Sequence, residues 1–97
     1  MMFVPDSVLD FHGRDVRNAF DIEQHLAVFL EDCYARGDEM VLVITGKGNR
    51  SPKGPVIRPL VAELLKRHKL VASFKQAGYG YGGEGAFEVY FVSDGVL

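Results

Sequence analysis

Tryptophan is absent and cysteine occurs once, at Cys33. A single thiol can form neither an intrachain disulfide nor a cysteine-based zinc site. A reducing, cytoplasmic setting is the expectation that follows. No apolar run approaches the ~18 residues that span a bilayer, so no membrane partner is expected. The first six residues, Met1 to Asp6, have neither a basic start nor a long apolar stretch, which argues against a secretory signal. Net charge is also small, −2, and taken alone it argues against nucleic-acid binding. What remains is 97 residues that are 47% hydrophobic, 25% charged and 11% aromatic. That is the composition of one packed domain rather than a disordered tail. A chain this size buries roughly 60–65% of its unfolded surface, enough for one core.

The small net charge hides a segregated one. Residues 1–46 carry three basic and nine acidic residues, a balance of −6. Residues 47–75 carry eight basic residues (Lys47, Arg50, Lys53, Arg58, Lys66, Arg67, Lys69, Lys75) against Glu63 alone, a balance of +7. A basic face on an acidic protein is one consequence of such a distribution. The plainer alternative is a helix with a solvated basic side.

Hydrophobic patterning divides the chain into six elements. Val8 to Phe11 reads as a short strand. Asp15 stands where a helix N-cap belongs, and Ala19, Ile22, Leu26, Phe29, Leu30 and Cys33 then recur at helical spacing until Arg36-Gly37. Met40 to Ile44 is a continuous, β-branched apolar run that fits a strand covered on both faces. A second helix starts between Val56 and Pro59, because proline is tolerated only in the first turn. It runs to about His68-Lys69. Val71 to Gln76 reads as a third strand. Phe87, Val89 and Phe91 alternate with Glu88, Tyr90 and Val92 in a fourth. The order is βαβαββ, an α/β two-layer sandwich with a mixed four-stranded sheet and two helices. The first three strands are expected to run in one direction and the last to return antiparallel. The expected organisation is an extension over 1–7, the domain over 8–92 and a tail over 93–97.

Ligands of open α/β sheets sit beyond the C-terminal ends of parallel strands. Two such ends are Asp10-Phe11-His12-Gly13 and Thr45-Gly46-Lys47-Gly48. Both lead into helix N-termini, which favour anions. The residues there carry a family resemblance. Leu9-Asp10-Phe11-His12-Gly13 resembles the LDLHG signature of the Smr (small MutS-related) domain, with Phe for the second Leu. Ile44-Thr45-Gly46-Lys47-Gly48 resembles its TGxG motif, which is HGxG in the MutS2 branch. Gly54 to Leu60 is similar to the start of helix 2 in stand-alone Smr proteins. Val71-Ala72-Ser73-Phe74 and Gly82-Gly83-Glu84-Gly85-Ala86 are similar to the closing strand and GGxGA loop. The resemblance covers residues 8–92 and implies a fold similar to the C-terminal domain of translation initiation factor 3. It also implies nucleic-acid binding and an endonuclease that nicks or hydrolyses phosphodiester bonds of DNA or RNA, in DNA repair or at stalled ribosomes. By this resemblance Asp10 and His12 are tied to cleavage, and Thr45, Gly46, Lys47 and Gly48 are the TGxG residues.

The chemistry is consistent on its own terms. Breaking a phosphodiester needs a base, an acid and positive charge on the phosphoryl oxygens. His12 titrates in the useful range. Asp10 lies two residues earlier, on the same face if the strand continues through His12. There it would orient His12, raise its pKa, or hold a divalent cation such as Mg2+. Lys47, Arg50, Lys53 and Arg58 are candidates for phosphate neutralisation. Gly13, Gly46 and Gly48 are candidates for close approach of backbone N–H groups to phosphate. Arg58 opposes the helix dipole in a first turn, a local cost that favours a functional reason. Tyr79 and Tyr81, in the glycine-rich loop, are candidates for base stacking. That loop satisfies G-x-G-x-x-G but leads into a strand, so it is not a dinucleotide fingerprint; Lys47 likewise lacks the spacing of a P-loop. His25 and His68 are expected on helix surfaces, and Cys33 in the core. The competing functional reading is a non-catalytic module that binds nucleic acid or the ribosome through the same basic residues.

Overall fold

The structure, a computed structural model, describes residues 4–11, 16, 18–46, 57–78 and 85–93. Its elements in chain order are β1 (Ser7–Asp10), α1 (Ala19–Arg36), β2 (Met40–Ile44), α2 (Ile57–Arg67), β3 (Val71–Gln76) and β4 (Ala86–Phe91). The βαβαββ order and the mixed four-stranded sheet are as expected. Strand order across the sheet is β1-β2-β4-β3. β1 pairs parallel with β2, and β4 pairs antiparallel with both β2 and β3. The crossover through α2 therefore skips one position, which β4 fills on its return.

Both helices cover the same sheet face. Leu9 of β1, Val41 and Val43 of β2, and Phe87 and Val89 of β4 meet Ile22, Leu26, Leu30 and Cys33 of α1 and Val61 and Leu65 of α2 in one buried cluster. Strand alternation dictates this choice, since Val41 is opposite Val89 and Val43 opposite Phe87. Each fully buried leucine contributes about 1.5–3 kcal/mol by area removed from water. The other face carries Val8, Asp10, Leu42, Ile44, Glu88 and Tyr90, by the same alternation. Leu42 is nevertheless buried there, packed with Ile44, Ala77 and Ala86. The expectation that β2 is covered on both faces thus holds.

Element ends differ from expectation in ways that capping explains. α1 is capped by Asn18, whose backbone is extended (φ −157°) and whose Oδ1 accepts from the Asp21 N–H at 2.9 Å. The expected cap, Asp15, lies outside the described residues, and Val16 instead packs against the core ahead of the helix. At the other end Gly37 adopts φ +88° and closes the helix, its N–H turned back to the last carbonyls; only glycine takes this left-handed conformation at no steric cost. α2 starts at Ile57, which leaves Pro59 in the first turn where its missing N–H costs nothing. It stops at Arg67, so His68 is past its end. There His68 Nδ1 accepts from the Leu70 N–H at 3.2 Å and turns the chain into β3. β1 is shifted by one residue, ending at Asp10 with Phe11 buried just beyond it. Among the described residues no helix is long and apolar enough to cross a membrane.

Candidate nucleic-acid interface

Topology gathers the chemistry-bearing segments at one end of the sheet. Asp10, the last residue of β1, is the register partner of Ile44, the last of β2. Ile44 in turn faces Ala86, the first residue of β4. Gln76, the last of β3, pairs with Phe87 beside it. Both helices begin at this end, because each follows a strand that finishes there. Their N-termini carry the positive ends of the helix dipoles. The described residues flanking 12–15, 47–56 and 79–84 are therefore all at this end.

The backbone here is locked by one carbonyl. Gly85 O accepts from the Thr45 N–H at 2.7 Å and from the Gly46 N–H at 3.0 Å. Thr45 is buried, and its hydroxyl donates to Gly46 O at 2.8 Å, with Gly85 O a longer 3.3 Å away. Gly46 has φ +77°, a conformation that a residue with a Cβ adopts only with strain. The Thr45-Gly46 pair therefore shapes the exit from β2 and fastens it to the start of β4. Its N–H groups are engaged inside the fold. Sequence reasoning named Tyr79 and Tyr81 of the glycine-rich loop as candidates for base stacking and missed the Gly85 carbonyl as the fastening point. The only sequence signal for it was the GGxGA string itself.

Asp10 is exposed, on the sheet face opposite the helices. β1 ends at Asp10, and the expectation that Asp10 and His12 share a face falls on a residue outside the described ones. Phe11 turns inward like Leu9, buried in the core, and its ring meets His25 of α1 edge-on at 6.4 Å. His25 is thus half-buried against the aromatic anchor rather than a plain surface residue. His12, Gly13, Lys47, Gly48, Arg50, Lys53, Tyr79 and Tyr81 lie outside the described residues. Among the described residues no group of three His, Cys, Asp or Glu comes together as a metal site. A cation at Asp10 would take further ligands from substrate phosphates and water, as Mg2+ commonly does.

Arg58 stands in the first turn of α2 with its guanidinium carbon 4.7 Å from the centre of the Phe87 ring. A cation over an aromatic face is worth about 0.5–1 kcal/mol or more, which offsets the unfavourable dipole position. Arg58 therefore has a packing role that the sequence did not reveal. Among the described residues the remaining cations of this segment do not share one face. Lys66 and Arg67 are in the last turn of α2, at the far end, where Arg67 Nε is 3.7 Å from Glu63. Lys75 is near the candidate end, 4.0 Å from Glu88. Glu88 also accepts from the Gly78 N–H at 3.1 Å and from the Tyr90 hydroxyl at 2.8 Å. That hydroxyl is held above the usual tyrosine pKa by the bond to Glu88, by burial and by the Glu88 charge.

These features match a known group. The Smr domain family profile covers residues 9–92. The chain belongs to the Smr domain family. It is 35% identical over 81 residues to Endonuclease MutS2 of Caldicellulosiruptor saccharolyticus, and 30% identical over 79 residues to Endonuclease MutS2 of Clostridium botulinum. The two alignments take in 82% and 80% of this chain but 9% of each relative. The chain thus spans about a tenth of the length of these relatives. The Smr domain of Thermus thermophilus MutS2 superposes with a TM-score of 0.74 at 26% identity, covering 90% of this chain and 99% of that one. YdaL, a stand-alone small MutS-related protein of Escherichia coli, superposes with a TM-score of 0.74 at 25% identity, covering 89% of this chain and 64% of that one.

Proposed function

We propose that this Smr domain is an endonuclease module that binds DNA or RNA at the C-terminal end of its parallel strands and hydrolyses a phosphodiester bond there. The observation that carries the proposal is the placement of Asp10. An exposed carboxylate ends an edge strand at the end of the sheet where both helices begin, inside the motif that resembles LDLHG. Homology to the Smr region of proteins named Endonuclease MutS2 supports the same reaction class.

In this reading His12 is the general acid or base, and Asp10 orients it or holds a divalent cation. The positive helix ends and the cations of residues 47–53 attract phosphate. Thr45, Gly46 and Gly85 hold the strand exits at fixed spacing, and Arg58 braces α2 on Phe87. The engaged amides of Thr45 and Gly46 are the one observation that favours the second reading, a binding module for nucleic acid or the ribosome without cleavage. They remove two donors that an oxyanion would otherwise use.

A cleavage assay on matched DNA and RNA, with and without magnesium, separates these readings when run on Asp10→Ala, His12→Ala and the double variant. Under the nuclease reading each single variant loses about 10²–10⁴-fold in rate, the scale of general acid–base catalysis. The double variant should be little worse, because groups that act in one step are strongly non-additive. Equal, undiminished cleavage by all three would trace the activity to a contaminant or to other residues and overturn the roles of Asp10 and His12, whereas binding without cleavage by the unaltered chain would leave the binding module.

A further inference from the structure

β1 is the edge of the sheet, and among the described residues nothing pairs with its outer side. The Asp6 N–H donates to Met40 O at 2.8 Å, toward β2. By alternation the backbone groups of Ser7 and Leu9 point the other way, outward. Alongside this edge runs a groove of about 420 Å³ lined by Leu9 from β1 and by Gln24, His25, Val28, Phe29 and Asp32 from α1. The stripe of α1 that borders it, at i, i+4 spacing, holds two exposed apolar side chains, Phe20 (64% exposed) and Val28 (56%). Val8 is half exposed on the opposite face of the same strand. An open strand edge beside an apolar groove is the geometry that takes up an extended peptide as an additional strand.

Charge selects the occupant. The groove carries Asp32, and β1 is flanked by Asp6 and ends in Asp10. Residues 1–46 as a whole balance at −6. A second copy of the chain would bring this acidic stripe against itself, and a phosphate backbone would be repelled by it. We infer that the groove between β1 and α1 docks an extended protein segment in which basic and apolar residues alternate. Its apolar side chains would lie on Val28 and Phe29 in the groove, and its cations, on the opposite face, beside Asp6 and Asp10, which alternation sets on the same face as Val8. Its backbone would pair with Ser7 and Leu9. This surface flanks the candidate nucleic-acid end and would let a basic protein partner hold the domain while that end stays open. The inference does not depend on cleavage.

The test is an NMR titration of the full chain with a short, end-capped peptide of alternating lysine and valine. Saturable shifts are expected in the amides of Ser7 to Asp10 and Gln24 to Asp32. Affinity should fall about tenfold in Val28→Lys, the scale of losing one anchor side chain, and several-fold in Asp10→Asn. Both side chains are exposed, so the spectrum elsewhere should report an intact fold. Two versions of the peptide, N-methylated at alternate residues in opposite phase, add a geometric control. One should lose binding and the other keep it, because a strand turns only every second amide toward its neighbour. Several results would overturn the inference: no saturable shift, equal binding of a glutamate–valine peptide, indifference to Val28→Lys, or equal binding of both methylated peptides. Concentration-dependent shifts of the same residues without peptide would replace the partner by a second copy. Shifts there with a single-stranded oligonucleotide would replace it by nucleic acid.

Discussion

The two ends of the sheet use polar residues in opposite ways. At the far end, where α1 turns into β2, polar side chains satisfy one another. Ser7 Oγ donates to Asp38 Oδ2 at 2.7 Å, while Arg36 Nη2 donates to Ser7 Oγ at 2.7 Å, to Asp38 at 3.0 Å and to Cys33 Sγ at 3.3 Å. Asp6 accepts from the N–H groups of Glu39 and Met40 at 2.7 and 3.3 Å. These bonds close the fold and leave Cys33 fully buried, its thiol pKa pushed up by burial above all. At the near end the backbone is fastened through Gly85, yet the carboxylate that terminates β1 is exposed. Asp38 is part-buried and held by Ser7 of β1 and Arg36 of α1, whereas Asp10 is an exposed residue at the end of a strand. Exposure and place in the fold separate Asp38 from Asp10 where residue type alone cannot.

The contrast predicts how each end fails. Phe87→Ala should have the largest effect on stability. Phe87 is buried, packs edge-on against Phe74 at 5.5 Å and supports Arg58, so a loss of about 3–5 kcal/mol is expected in urea unfolding. Gly46→Ala should cost about 1–2 kcal/mol through the positive φ. Under the nuclease reading it should lower cleavage more than its stability loss explains, since it moves the β2 exit against Gly85. Arg58→Ala should cost about 0.5–1 kcal/mol if its role is to pack on Phe87. The dependence of nucleic-acid affinity on salt then stays the same, whereas a slope lower by about one would make Arg58 a phosphate contact as well.

The smallest effect concerns the far end. Burial pushes the Asp38 carboxyl up, but hydrogen bonds from Ser7, Cys33 and Arg36 and the Arg36 charge together outweigh it and hold its pKa below the ordinary value. A carboxyl with a depressed folded pKa adds stability that is fully present above its unfolded pKa of about 3.9. That stability is lost as pH falls through the folded value. Asp38→Asn should therefore lower stability at neutral pH and flatten its acid dependence below about pH 4, without changing cleavage per folded molecule. Altered cleavage in Asp38→Asn would erase the distinction between the two ends.

Local chemistry made much of this architecture legible. The β-branched run Met40 to Ile44 and the segment Val71 to Gln76 are strands at the expected residues, because no competing cap or breaker falls inside either. The C-terminus of α1 was marked by Gly37. Its N-terminus was not, since Asp15 and Asn18 are both good caps, and the choice depends on Asn18 reaching Asp21 and on Val16 packing inward. The site was legible only in part. Asp10 stands at a strand end as expected, but the roles of Thr45, Gly46 and Arg58 depend on Gly85 and Phe87, which are distant in sequence and come close only through the insertion of β4 between β2 and β3. Neither periodicity nor spacing encodes such a non-local meeting.

The most direct measurement is Asp10→Asn, assayed in parallel for nucleic-acid cleavage and for binding. The substitution keeps the shape of the side chain and removes its charge, and Asp10 is outside the buried core, so the fold should persist. Cleavage should fall by about 10²-fold or more, with affinity unchanged or slightly tighter because a negative charge near phosphates is gone. Near-full cleavage in a contaminant-controlled assay would contradict the account, because the Asp10 charge would then have no part in cleavage.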